Sequence, residues 1–76
     1  MQYRQINIDP EIMSGTPVFV GTRVPIQSLF DYLEGGEDLS EFLDDFPSVT
    51  KEAALTVLEM ARKSITSERV LHENFA

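Results

Sequence analysis

The sequence predicts a mainly α-helical protein in which a short N-terminal β-hairpin is followed by a three-helix bundle. Three observations favour this class: an early β-prone segment broken by Gly-Thr pairs, three later segments with apolar residues at helical spacing, and Gly or Pro at the boundaries between them. Residues 1–66 are expected to form a single domain and residues 67–76 a C-terminal tail.

The β-prone segment contains the Gly-Thr pair twice within residues 14–26. Residues 17–20 are predicted to form a strand, residues 21–22 a turn, and residues 23–24 the returning strand. Pro25 has no N–H to donate to a strand ladder, and its fixed φ suits the first turn of a helix. Strand pairing is therefore predicted to end at Pro25 and a helix to begin there.

The predicted hairpin is short and strongly apolar. Ile6 and Ile8 alternate with polar residues upstream, which adds a further short strand. Strands of this length are marginal alone in water, so they must pack on the helices or on a second copy of the chain. A homodimer is expected on this basis, and the candidate interface residues are Val18, Phe19, Val20 and Val24.

Three segments after the hairpin carry helical patterns. The first has its apolar stripe within residues 26–33 and ends at Gly35-Gly36. The second runs from Asp38 to about Phe46 and opens with a pattern like a capping box. The third begins at Thr50, a natural N-cap, and extends to Ser64 or beyond. The apolar stripe of this third helix comprises Ala54, Val57, Leu58, Ala61 and Ile65.

Size and charge limit the class of protein. The chain has 76 residues, no cysteine and a net charge of −7, and residues 25–49 hold seven carboxylates with no Lys or Arg. Stability must therefore come from helix packing or a partner subunit. No apolar run is long enough to span a membrane, and the N-terminus lacks the apolar core of a signal peptide. A cytoplasmic protein without membrane association is expected.

The second and third predicted helices, separated by a short turn, have the order of a helix-turn-helix, in which the second helix enters a DNA groove. An ordinary three-helix bundle gives the same pattern. Glu52 and Glu59 lie opposite the buried stripe of the third helix and disfavour phosphate binding, and Glu59 is expected to pair with Lys63. DNA binding is therefore predicted to be weak or limited to a complex, with candidate contacts at Arg4, Thr50, Lys51, Thr56, Arg62 and Lys63.

The string D-P-x-I-M-S-G-T-P-V-F-V-G-T-R-V-P, followed by F-P-S-V-T and A-A-L-x-V-L-x-M-A, closely resembles the domain of unknown function four-three-three family. The match covers about residues 6–65, and G-T-R-V-P is its most specific part. The resemblance implies a homeodomain-like helix-turn-helix fold. It also implies a VapB-type antitoxin that neutralises a PIN-like ribonuclease toxin encoded beside it and can repress its own operon.

Toxin-contacting residues must be argued from chemistry. PIN-type nucleases hold divalent metal with clustered carboxylates, so a basic side chain delivered into that cluster would block catalysis. In the tail, Arg69 is the candidate, and its apolar anchors are Val70, Leu71 and Phe75. Alternatively, the tail is a frayed helix end or a strap on its own dimer.

Catalysis has no support in the sequence. His72 has no second ligand at metal spacing, Asp44-Asp45 are expected to form a solvated helix face, and the Gly-Thr pairs lack the G-K-[ST] of a phosphate-binding loop. We expect a binding protein that is not an enzyme and needs no metal or cofactor. Two alternatives remain open, namely a stand-alone transcriptional regulator and a dimerisation module with no DNA role.

Overall fold

The computed structural model describes residues 1–67, in which a small three-stranded antiparallel sheet precedes three helices. The strands are β1 (Gln2–Tyr3), β2 (Ile6–Asn7) and β3 (Val18–Phe19), and the helices are α1 (Ile26–Glu34), α2 (Leu39–Asp45) and α3 (Lys51–Thr66). The predicted fold class, mainly helical with a short N-terminal β-structure, is confirmed.

The sheet is built differently from the predicted hairpin. β2 is the central strand and pairs antiparallel with both β1 and β3, with Ile6 opposite Phe19. The returning strand predicted at residues 23–24 does not form, so that prediction is wrong. A single antiparallel bridge between Val18 and Pro25 stands in its place.

Pro25 marks the end of this pairing. The Phe19 N–H donates to the Val24 carbonyl at 3.0 Å, and the Ile26 N–H donates to the Pro17 carbonyl at 3.0 Å. Because these two bonds flank Pro25, its missing N–H costs no hydrogen bond. The predicted helix start is confirmed, since α1 begins at the next residue.

The turn between β3 and Pro25 is held by one side chain. The Thr22 hydroxyl donates to the Phe19 carbonyl at 2.8 Å and accepts from the Val24 N–H at 3.0 Å. Gly21 precedes it with a φ of +77°, a value that side chains rarely adopt. The predicted Gly21-Thr22 turn is confirmed, and it fixes the backbone on both sides of the exposed Arg23.

Both predicted helix caps are confirmed. The Asp38 carboxylate accepts from the Glu41 N–H at 3.0 Å at the start of α2, and the Thr50 hydroxyl accepts from the Ala53 N–H at 3.1 Å at the start of α3. The Ser40 hydroxyl and the Glu41 N–H both donate to Asp38 and hold the pKa of its carboxyl below the usual value.

The core is centred on Phe42, which is fully buried. Its ring centroid lies 6.1 Å from that of Phe19, 5.4 Å from that of Tyr32 and 5.0 Å from that of Phe46. These contacts join the sheet to α1, α2 and the residue that ends α2. The buried cluster comprises Phe19, Leu29, Phe42, Val49, Ala53, Ala54 and Val57.

Burial of β3 alters the predicted dimer interface. The exposed fractions of Val18 and Phe19 are 0% and 1%, because both faces of β3 are covered within one chain. These two side chains are therefore used inside the chain and are not presented to a second copy, which removes the argument that placed them at an interface. Val20 and Val24 are half-buried, and their role at an interface stays a prediction.

The apolar stripe of α3 is longer than the core beneath it. Val57 is buried with 3% exposure, Leu58 and Ala61 are half-buried, and Ile65 is 66% exposed. The prediction that Ile65 is buried is therefore wrong. The reason is length, since α1 and α2 have 9 and 7 residues and cannot cover a helix of 16.

None of the helices within residues 1–67 combines the length and the apolar character needed to cross a membrane.

Phe42→Ala should destabilise the domain by about 3–5 kcal/mol, because it removes the ring on which three aromatic neighbours pack. A core of this size supplies only about 3–5 kcal/mol of net stability, so the variant should be largely unfolded at room temperature. Urea denaturation followed by circular dichroism measures this. Met13→Ala, at an exposed position, is the control, and a Phe42→Ala variant as stable as Met13→Ala would contradict the assignment of the core.

Tyr32 provides a test of the packing between α1 and α2. Its hydroxyl donates to Asp45 at 2.7 Å, and this hydrogen bond is the main cause that raises the pKa of Tyr32 from 10.0 to about 12. Because the pKa of Tyr32 is raised on folding, the hydrogen bond contributes its full stability below pH 10. This contribution is lost as the pH rises toward 12. Asp45→Asn should lower the pKa of Tyr32, measured by ultraviolet titration of a Tyr3→Phe background; an unchanged titration would exclude the bond in solution.

Candidate functional site

The outer face of α3 carries most of the predicted nucleic-acid contacts. Lys51, Arg62 and Lys63 are exposed, Thr56 is half-buried, and the carboxylates of Glu52 and Glu59 lie exposed on the same helix. The Thr50 hydroxyl already accepts the hydrogen bond that caps α3. The face therefore has mixed charge, in contrast to the basic surface typical of a DNA-reading helix.

The β1–β2 turn brings Arg4 next to this face. Arg4 has a positive φ of 55°, a conformation that lets two-residue strands reverse direction tightly. It borders an open groove of about 540 Å³ against the first half of α3, lined by Arg4, Lys51, Glu52, Leu55, Thr56 and Glu59. The structure thus places Arg4 with Lys51 and Thr56, three of the six candidate contacts.

The second half of α3 uses its cations within the helix. The Arg62 Nε donates to a Glu59 carboxylate oxygen at 3.2 Å, with a second contact from its Nη2, and the Lys63 ammonium lies 3.8 Å from the same carboxylate. The predicted pair of Glu59 and Lys63 is confirmed. The Arg62 hydrogen bond lowers the pKa of Glu59, and Glu59 raises the pKa of Arg62. Two candidate phosphate contacts are therefore already paired with a carboxylate.

The surface of α1 and α2 is acidic. Desolvation, followed by the nearby carboxylates of Asp38 and Glu37, raises the pKa of Glu41. Asp45 accepts a hydrogen bond from Tyr32 on the same side. This surface repels phosphate and attracts a basic partner.

Three exposed apolar side chains on β1 and α3 were not among the sequence candidates for the site. Tyr3 is 58% exposed, Leu55 46% and Ile65 66%. Leu55 follows Ala54 directly and falls outside the predicted stripe of α3, so its exposure could have been predicted from helical spacing. A second shallow groove, next to the first, lies between the β1–β2 turn and the end of α3, lined by Tyr3, Arg4, Glu59, Met60, Lys63, Ser64 and Ser67.

Within residues 1–67, no group of three or more His, Asp or Glu side chains lies close enough together to hold a metal ion. The predicted toxin contacts Arg69, Val70, Leu71 and Phe75 lie outside the described residues, as does His72. Their roles stay predictions.

Fold and surface define a small helical domain with an N-terminal three-stranded sheet, one acidic side, and a mixed apolar and charged third helix. The chain belongs to the family described as protein of unknown function (DUF433), whose sequence pattern matches residues 6–61. The resemblance inferred from G-T-R-V-P and its flanking strings is confirmed.

A solved relative agrees with the fold. The chain is similar to the crystal structure of a DUF433 member protein from Anabaena variabilis, with 24% sequence identity and a TM-score of 0.67 over 92% of this chain and 67% of that chain. At this level of identity the likeness shows the fold alone. No curated protein of known function matches the chain.

Glu59→Gln should strengthen non-specific DNA binding, because it releases Arg62 and Lys63 from their shared carboxylate. We expect the salt dependence of binding to steepen by about one to two phosphate contacts. Fluorescence anisotropy with a labelled random duplex over a salt series measures this. Glu52→Gln changes the net charge equally on the same helix. Glu52 takes part in neither of the ion pairs that Glu59 forms there, so this variant is the matched control. Equal slopes for both variants would show that the pairing does not limit DNA binding.

Proposed function

We propose that this chain is an antitoxin-type binding protein that neutralises a PIN-like ribonuclease toxin and is not itself an enzyme. The supporting observation is that α3 extends past its own core, with Ile65 66% exposed at the end of a stripe whose other members are buried or half-buried. Contacts with DNA are proposed to be weak or confined to the complex, and the protein to act as a homodimer.

The exposed end of α3 has the form of a helix that docks in a groove. Leu58, Ala61 and Ile65 continue one stripe along the helix, in which Leu58 and Ala61 are half-buried and Ile65 is exposed. An amphipathic helix binds a protein groove through apolar residues at this spacing. The sequence then continues into the apolar residues Val70, Leu71 and Phe75, which we propose as further contacts with the toxin.

Charge supports a ribonuclease as the partner. A nuclease that binds RNA phosphates needs a basic substrate channel, and this chain has a net charge of −7 with its carboxylates concentrated on α1 and α2. Opposite charges speed the encounter of two such proteins and fix their orientation. The same charge opposes autonomous binding to an operator.

A stand-alone DNA-binding regulator is the second candidate, favoured by the grouping of Arg4, Lys51 and Thr56 at one groove. A homodimer would present this groove twice, which is how weak half-sites become useful. Gel-shift assays of the isolated protein at low salt test this candidate. Loss of binding in both Arg4→Glu and Lys51→Glu would favour it, and absence of binding at low salt would exclude it.

The dimerisation module needs a test that leaves the core intact. Phe19→Asp would place a charge in the core and unfold the chain, because Phe19 is 1% exposed. Val20→Asp, at a half-buried position, is the usable variant. Loss of dimerisation by light scattering, with folding retained and with neither DNA nor toxin bound by the dimer, would favour a purely structural role.

The antitoxin proposal predicts rescue of cells arrested by the PIN-like nuclease encoded beside this chain, and co-purification of the two proteins. Ile65→Glu should weaken the complex about tenfold or more, because it places a carboxylate at an apolar contact. Leu55→Glu is the matched control, since Leu55 is exposed on the same helix but off the stripe. Calorimetric titration of the purified proteins gives the affinities.

Two results would contradict parts of this proposal. A chain ending at Ser67 that rescues fully would remove Arg69 and the apolar tail residues from the inhibitory contact. Equal affinities for Ile65→Glu and Leu55→Glu would exclude the end of α3 as the docking surface. If the adjacent protein neither arrests growth nor binds, the antitoxin function itself is wrong.

A further inference from the structure

Asn7 is buried without a side-chain partner. It is the buried polar residue of the part of the chain that the structure describes, with an exposed fraction of 9%. No described residue hydrogen-bonds its carboxamide. A carboxamide has two donor hydrogens and an acceptor oxygen, and these stay available to a ligand that reaches them.

The position of Asn7 in the sheet determines the face on which its side chain lies. Gln2, Asn7, Val18 and Pro25 lie opposite one another across the strands and so share one sheet face, while Ile6 and Phe19 point to the core. This face borders an open groove of about 760 Å³. No side-chain polar atom within residues 1–67 is both fully buried and unpartnered, so the carboxamide is accessible from the groove.

Arg23 stands at the same groove. It is exposed and makes no ion pair with any described residue, although the chain has 13 Asp and Glu against 6 Lys and Arg. Its backbone is held by the two hydrogen bonds of Thr22. A guanidinium on a fixed turn is preorganised for a carboxylate, because little freedom is lost on binding.

We propose that this groove binds an extended peptide segment of a partner protein that carries a carboxylate. The Asn7 carboxamide takes one peptide group, donating to its carbonyl and accepting from its N–H, and Arg23 binds the carboxylate. Apolar walls for the neighbouring side chains come from Ile12, Pro25 and Phe46.

Charge selects a peptide over a nucleic acid. A single guanidinium matches a single carboxylate, whereas a nucleic-acid strand brings a row of phosphates toward a chain of net charge −7. The groove shares no lining residue with the grooves along α3. Its occupation therefore does not depend on the antitoxin proposal and can be tested without a toxin.

The experiment is a titration of the full-length, isotope-labelled protein followed by nuclear magnetic resonance. The probe is an acetylated and amidated hexapeptide of alternating apolar residues with one central Glu, and its matched control carries Gln instead. We expect the Glu peptide to shift the Asn7 side-chain amide and the backbone signals of residues 21–24. The Gln peptide should bind about tenfold more weakly.

Variants separate the two contacts. Arg23→Gln should weaken the Glu peptide about tenfold and leave the Gln peptide unaffected, while Arg4→Gln, with the same charge change outside the groove, should bind both as the unmodified protein does. Asn7→Ser tests the second contact. If that variant fails to fold, a Glu peptide methylated at its central backbone nitrogen gives the same information, because it cannot donate to the Asn7 oxygen.

Three outcomes would overturn the proposal: no shift of the groove signals at millimolar peptide, equal affinity for the Glu and Gln peptides, or an unchanged affinity in Arg23→Gln. A single-stranded oligonucleotide that shifts the same signals at lower concentration than the peptide would also overturn it, in favour of a nucleobase contact at Asn7.

Discussion

The contact of the Phe42 ring with Phe19 is the interaction on which the rest of the structure depends. It joins the N-terminal sheet to the helices, and Tyr32 and Phe46 complete the cluster around it. With no cysteine, the chain has no disulfide to hold strands of two residues in place. The sheet therefore persists because Phe19 is anchored in the helical core, and the position of the sheet in turn fixes Arg4, Asn7 and Arg23.

This anchoring decides which surfaces are left for partners. A strand with its side chains buried on both faces has no apolar surface to offer, so recognition moves to the periphery. The first half of α3 faces Arg4 across one groove, and the turn that carries Arg23 borders another. The end of α3, with Ile65, is a third surface, and the acidic side formed by α1 and α2 sets the electrostatic background for all of them.

Local chemistry made much of the fold predictable. Asp38 and Thr50 cap their helices through contacts with residues three positions away. Proline limits strand pairing in any sequence, as Pro25 does here, so the sequence alone indicates these boundaries. The choice of partner for β3 is non-local, and periodicity within residues 14–26 cannot show that the better ladder lies at β2.

The candidate site was predictable to the same extent. The spacing of α3 indicates which residues share a face, and hence the pairing of Glu59 with Lys63. Spacing cannot show that the core is too short to cover Ile65, because that depends on the lengths of α1 and α2. Asn7 carries no pattern of its own, and its significance arises only when four separate segments form a groove around it.

The end of α3 lies beyond the buried core, where Ile65 is exposed. The last turns of α3 are held by their own backbone bonds, the Glu59 pairs and the bond from the Thr66 hydroxyl to the Arg62 carbonyl. Such a segment opens locally at a free energy far below that of global unfolding, and its amides exchange with solvent correspondingly faster. Substitutions there can alter recognition without a penalty to the fold, so the specificity of this chain is free to diverge while its core stays the same.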